Sequence, residues 1–503
     1  MPDTQPQASV PAAAPPPPDN AGRGLVLAAC LMATFMAAVE SSIIATAMPG
    51  IVGDLGGFSL FSWAFTIYLL TQAVSIPIYG RLADIHGRKP VFFFGAGLFL
   101  IGSTLCGLAW GMIPLICFRA LQGLGAGAIQ PIAATILGDI YTPSERAKVQ
   151  GYVSSVFGIA AVAGPSLGAF LVEHAAWPVV FWVNLPVGAA AIVMIAWFLK
   201  EDPPPRRHSI DWLGSILLLI AASSLMLALV QNSALGGATL AILIAAGIAA
   251  TVALLMHERS APEPMLPLEL WRNRVIVVGS LGSFCAGAVM MGISAFLPAY
   301  VQGAMGRSAI AGGAVLGAMS VSWAFASIFG GRLMIRTTYR FMALWGAVAL
   351  IAGTAILIAL TPERGVTWAA VGSFIIGIGM GFCNSTYIVS IQAAVPWRQR
   401  GAATSSSMFL RFMGQVIGAA GCGAVLNATM TILDPAAADG VDRLLDATSR
   451  AAMPAAEAAH LTSVVAASLH NAYLLAGVFA VLTLAVSWFL PKGLSPRHPT
   501  ARP

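Results

Sequence analysis

The chain has 503 residues, of which 58% are hydrophobic and only 9% charged, against about 25% charged in an ordinary soluble domain. Too few polar residues remain to cover a wet surface, so a soluble multidomain enzyme is excluded and lipid is the solvent for most of the chain. The net charge of +6 comes from basic residues scattered in small groups between apolar runs, a pattern of membrane orientation rather than of a nucleic-acid partner.

Residues 1–23 are rich in Pro and Ala and include Pro15 to Pro18. They cannot bury a core and read as a disordered cytoplasmic tail. Beyond them, runs of about 20 apolar residues predict fourteen transmembrane helices. Six fall near 24–48, 59–79, 91–109, 112–137, 149–171 and 178–198, and two near 212–230 and 238–256. The last six fall near 275–300, 309–329, 341–360, 367–390, 401–426 and 471–490. The expected organisation is a six-helix half over 24–200, a linker over 201–274 with two extra spans, a second six-helix half over 275–490 and a cytoplasmic tail over 491–503. Residues 427–470 form a long external segment, read as an interfacial helix pair or as a docking surface for a periplasmic adaptor.

Of the 26 Lys and Arg, Arg119 and Arg411 lie inside spans, and Arg307, Arg364, Arg443 and Arg450 lie in loops of one side. All the others fall on the opposite side. By the positive-inside rule, both termini are cytoplasmic. Cys30, Cys106, Cys117, Cys285, Cys383 and Cys422 all lie in apolar segments with no CxxC pair, so neither a disulfide framework nor a metal site is expected.

Of the 20 acids, Glu40 alone lies well inside a span. A carboxylate there is costly unless protonated or paired. At 1.5 Å per residue it sits roughly 24 Å from Gly24 and roughly 13 Å from Pro49, too deep for glutamate to reach water. Arg119 lies roughly 10 Å from Met112 down the antiparallel span four, at similar depth. Burial and a nearby arginine act in opposite directions on a glutamate's proton affinity, so the pair suits a proton carrier, with a purely structural ion pair as the alternative. Gln122 and Gln130 share the Arg119 face of span four, and Tyr68 and Gln72 form an i, i+4 face on span two. Both faces read as cavity linings or as interhelical hydrogen-bond sites. Arg411 lies roughly 15 Å in from Gly401 with no acid in any C-half span. Asn384 and Tyr387, with Met and aromatic residues such as Met319, Trp323, Trp345 and Met380, add adaptable surface suited to bulky amphipathic compounds.

The loop after span two reads Gly80-Arg81-Leu82-Ala83-Asp84-Ile85-His86-Gly87-Arg88-Lys89-Pro90. A worn copy, Gly331-Arg332-Leu333-Met334-Ile335-Arg336, follows span ten, with Ile335 in the place of Asp84. The repeat implies two parallel six-span halves. Its glycines, Gly80 and Gly87, suit a tight turn. Asp84 is suited to accept from a helix N-terminus or a basic residue of the other half.

That first loop resembles the signature loop of the major facilitator superfamily, and the span count resembles its fourteen-span drug:proton antiporter branch. Val39-Glu40-Ser41-Ser42-Ile43-Ile44-Ala45-Thr46-Ala47-Met48-Pro49 is similar to the branch's first-helix motif, with Glu40 where aspartate is usual. Arg119-Ala120-Leu121-Gln122-Gly123-Leu124-Gly125-Ala126-Gly127 resembles its buried-arginine motif. Gly164-Pro165-Ser166-Leu167-Gly168 resembles its antiporter motif, a helix bend, although Ala160 and Ala169 replace glycines expected there. Trp182-Val183-Asn184-Leu185-Pro186-Val187-Gly188 resembles its start of span six, and Arg411 with Gly414, Gly418 and Gly421 its span-thirteen pattern.

The resemblance implies an all-α integral membrane fold of fourteen helices that alternates access in a bacterial cytoplasmic membrane. It implies proton-coupled efflux of amphipathic drugs, as in antibiotic resistance, driven by the proton gradient without a cofactor. Asp84 and Arg88 would latch the cytoplasmic side. A dedicated exporter of one metabolite, siderophore, fatty acid or lipid is the alternative. Neither an enzyme nor a sensor is expected, because no span carries paired acids or a His cluster and neither tail can fold as a domain.

Overall fold

The computed structural model describes residues 20–55, 61–201, 211–230, 236–261, 269–307, 309–434 and 453–493. Both terminal tails beyond these limits, and 435–452 of the expected surface segment, lie outside the described residues. Fourteen long helices are described: α1 (Asn20–Leu55), α2 (Phe61–His86), α3 (Arg88–Gly107), α4 (Met112–Ile140), α5 (Pro143–His174) and α6 (Val179–Phe198). They continue as α7 (Trp212–Val230), α8 (Gly237–Glu258), α9 (Arg274–Ser294), α10 (Ala309–Arg336), α11 (Tyr339–Ile358), α12 (Gly365–Ala393), α13 (Arg400–Leu433) and α14 (Ala455–Trp488). Among the described residues, eleven helices are long and apolar enough to cross a membrane. They do not include α2, α5 or α7, the last being apolar over the shorter stretch Leu213–Leu225.

Local chemistry sets several helix ends. Thr142 accepts from the Glu145 amide while Glu145 reaches back to the Thr142 amide, a capping box that starts α5 with Pro143 in its first turn. Gly87 takes φ 95°, a left-handed conformation that turns the chain between α2 and α3. Glu201 accepts from the Arg88 and Lys89 amides and so caps α3. Lys89 Nζ donates to the Ala196 and Leu199 carbonyls at the end of α6.

The two six-helix blocks repeat one pairing pattern. α1 packs on α5 and α6, α2 on α4, and α3 on α4 and α6. In the same register α9 packs on α13 and α14, α10 on α12, and α11 on α12 and α14. The blocks meet along two seams, α2 against α13 and α5 against α10. α7 and α8 pack on each other, and α7 leans on α2 and α13. Small residues permit the closest contacts. A Cβ at Gly102 would lie 2.6 Å from the Gln122 backbone, and one at Gly418 would strike the Ala288 carbonyl.

Two expectations change. The 427–470 segment is not a pair of surface helices throughout, because α13 continues to Leu433 and α14 begins at Ala455. Their apolar residues extend the bundle instead. Gly80 does not make the turn, since α2 runs through it to His86. α5 runs from Pro143 to His174 through Gly164-Pro165. Gly164 and Gly168 are buried in it, and the side chain of Pro165 lies outside the described residues.

Candidate functional site

Five helices converge on Glu40. The carboxylate is 0% exposed and Arg119 is 1% exposed. Arg119 NH1 donates to Glu40 Oε1 at 2.5 Å and to Gln122 Oε1 at 2.6 Å, while its Nε donates to the Ala64 carbonyl at 3.1 Å. The guanidinium lies over the Tyr68 ring, 4.1 Å from its centroid. Asn184 Nδ2 donates to Glu40 Oε2 at 2.5 Å and to Ser103 Oγ at 3.1 Å. Ser103 Oγ also accepts from Gln122 Nε2 at 2.7 Å, which closes the ring of contacts.

The contacts differ between the two states of the carboxyl. With Glu40 ionised, Arg119 and the Asn184 amide both donate to it. With Glu40 neutral, Arg119 keeps the Gln122 oxygen, the Ala64 carbonyl and the Tyr68 face. Tyr68 and Gln122 thus belong to the ion-pair network rather than to a free cavity wall. Ser103 and Asn184 were not singled out as site residues. The signal available was a strongly polar amide near the start of an apolar span. Asn184→Ala leaves Glu40 Oε2 without its donor. It should cost about 1–3 kcal/mol, read as a lower thermal midpoint of the purified protein, with Ser103→Ala costing less.

The remaining candidates divide. Arg411 NH1 donates to Asn384 Oδ1 at 2.9 Å, and the guanidinium lies 5.6 Å from the Phe412 ring centroid. Arg411 is 9% exposed and its Nε has no partner among the described residues. Tyr387 does not join them. Its hydroxyl meets Ser487 Oγ on α14 at 2.7 Å, and its ring fills the space beside Gly282. Gln72 is buried on α2 and Gln130 is half-buried on α4, both outside the Glu40 network. Met319 and Met380 are buried in the C-half core, whereas Trp345 is 55% exposed and points outward.

At one end of the bundle the seam between α2 and α13 is shut. Asp84 Oδ1 and Oδ2 accept from the Gly401 and Ala402 amides at 3.0 and 2.7 Å, the open N-terminus of α13. Arg88 NH2 lies 3.1 Å from Asp84 Oδ1 and donates to the Trp397 carbonyl at 2.5 Å. Arg88 Nε and Arg400 NH1 each donate to Asp139 at 2.9 Å, so one carboxylate at the end of α4 bridges both blocks. Asp139 and Arg400 were not foreseen as latch residues. Gly80 supplies the close approach, since a Cβ there would run into Ser405 and the Gly401 carbonyl. Arg81, the next residue, is half-buried. Burial pushes the Asp84 carboxyl up to about 7, against the opposing pull of Arg88 and of the Ala402 and Gly401 amides. On the α5/α10 seam the copy has no carboxylate, and Gly331 meets the Ala147 carbonyl directly.

A profile of the Major Facilitator Superfamily matches residues 30–419. Multidrug resistance protein 3 of Bacillus subtilis is 33% identical over 498 residues, covering 94% of this chain and 96% of the relative. Multidrug transporter protein MdtP of the same organism is 35% identical over 409 residues, covering 81% and 76%. The fold is similar to the crystal structure of the human organic anion transporter MFSD10 (TETRAN), with a TM-score of 0.61, 14% identity, and 91% and 99% of the two chains covered. The chain belongs to the major facilitator superfamily and is a multi-pass membrane transporter, not an enzyme.

Proposed function

We propose that the chain is a proton-coupled efflux antiporter that exports amphipathic drugs by alternating access. The observation that carries this reading is the buried Glu40–Arg119–Asn184 network, an intramembrane acid beside a cation that has further acceptors of its own. Relatives named as a multidrug resistance protein and a multidrug transporter support the substrate class. The reading takes fourteen spans arranged as six, two and six, and the repeated helix pairing supports two equivalent blocks. The basic loops favour a cytoplasmic side for both termini by the positive-inside rule, and in this reading the Asp84 latch faces the cytoplasm of a bacterial cell.

In operation, Glu40 takes a proton from the outer side and yields it inward when the blocks rock about their seams. Arg119 retains its other partners throughout. Arg411 with Asn384 offers a second polar point in the C-half for a substrate's polar group, while the proton gradient supplies the energy without a cofactor. Purified protein in liposomes, loaded with cationic, neutral and anionic amphiphiles under an imposed pH gradient, tests the proposal. Uphill substrate movement coupled to opposite proton flux is expected across several chemically unrelated compounds. Transport of a single compound would instead mark a dedicated exporter, and gradient-independent movement would remove the antiport reading.

A further inference from the structure

The two seams between the blocks are treated differently by the chain. α7 covers the α2/α13 seam, while the α5/α10 seam carries two neighbouring cavities. The first, about 640 Å³, lies at the latch end and is lined by Lys148 of α5 and by Arg332 and Arg336 of α10, with Phe329 and Leu333 beside them. The second, about 470 Å³, continues along the same helix pair and is lined by Ser155, Ile159, Val321 and Phe325 among others.

Helical spacing makes these one groove. Phe325, Phe329, Arg332 and Arg336 follow one face of α10, and Lys148, Tyr152, Ser155 and Ile159 follow one face of α5. Phe325, Phe329, Tyr152 and Ile159 are all more than half exposed. From Arg332 to Val321 the groove rises about 16 Å, which is about half of a hydrocarbon core ~30 Å thick. Its head is cationic and its body apolar.

The cations are free to take a ligand. Among the described residues, none of Lys148, Arg332 and Arg336 has an acidic partner. The nearest acid along α5, Glu145, is engaged by Arg23 and by its own cap. Arg332 lies against the Phe329 ring at 5.9 Å, which aligns it at the groove mouth. At the corresponding place on the other seam a carboxylate, Asp84, holds the blocks together, and here Ile335 stands in its stead.

We propose that this groove binds an anionic phospholipid of the leaflet at the latch end, with its phosphate on Lys148, Arg332 and Arg336 and an acyl chain along the α5/α10 face. Three unpaired cations match a phosphate diester, and one leaflet of apolar groove matches a chain. The lipid would bridge α5 to α10 where the missing carboxylate leaves no ion pair. The site does not depend on which compound is exported.

The test uses the purified full chain in equimolar phosphatidylglycerol and phosphatidylcholine, with retained lipid counted by native mass spectrometry. Phosphatidylglycerol should be retained at least ~10-fold more than phosphatidylcholine, about 1.4 kcal/mol of preference. Lys148→Gln/Arg332→Gln/Arg336→Gln should abolish the preference, and Lys148→Gln alone should weaken it. The control Arg259→Gln/Arg272→Gln/Lys492→Gln, at exposed positions elsewhere, should keep it. Ser155→Trp, which fills the apolar body, should lower retention of long-chain lipid. An unchanged preference in the triple variant overturns the site. Displacement of the lipid by inorganic phosphate at equal concentration also overturns it, by marking a free-anion site.

Discussion

Glu40→Gln is expected to abolish uphill export on a pH gradient while leaving substrate exchange between equal pools measurable. Glutamine keeps the volume and one acceptor for Arg119, so the packing of α1 against α4 survives. It cannot carry a proton. The loss should approach the whole of the gradient-driven component, whereas exchange should fall only severalfold. Arg119→Ala should behave differently, because it strands an unpaired carboxylate at a fully buried position, at a cost of about 3–5 kcal/mol of stability. The double variant Glu40→Gln/Arg119→Met should recover much of that stability and none of the coupling. Transport in liposomes and thermal unfolding, read together, separate the two roles. If Glu40→Gln still concentrates substrate against its gradient, Glu40 is a structural ion-pair partner and the coupling acid lies elsewhere.

Breaking the latch is the second large effect. Asp84→Asn replaces one acceptor oxygen by a donor facing the amides of Gly401 and Ala402 and removes the charge that holds Arg88. A hydrogen bond to a charged group contributes about 1.5–3 kcal/mol, so the closed-to-open ratio should fall by about 10–100-fold. Gly80→Val should act in the same direction by steric means, because its side chain meets Ser405 and the Gly401 carbonyl. Spin labels at Ser144 and Thr337, one on each block, would report the separation at this end.

An unchanged label distance in Asp84→Asn would show that Asp139 and Arg400 hold the end shut alone.

Much of the architecture was legible because lipid imposes it. Spanning helices need long apolar runs, so helix positions followed from composition, and the repeat between 80–90 and 331–336 announced two blocks that the packing then repeats in register. Helix ends were less legible. α13 and α14 carry apolar residues several turns past the expected spans, and hydropathy alone does not say whether such turns extend a helix or lie on a surface.

The sequence by itself determined that Glu40 and Arg119 would sit at one depth, because a fixed rise per residue converts position into height. It also offered Asp84 as an acceptor for a helix N-terminus or for a basic residue of the other half. Which atoms meet was decided only by the tertiary structure. Ser103 and Asn184 join the network because α3 and α6 bring them to the far side of Glu40, a neighbour relation that no spacing within one helix encodes. Asp139 bridges Arg88 and Arg400 across 261 positions of sequence between its own place and that of Arg400. Tyr387 turns to Ser487 rather than to Arg411 because α14 packs on that side of the C-half. Depth is a property of one helix and can be read along it, whereas partnership depends on rotation and packing between helices, set by the whole bundle.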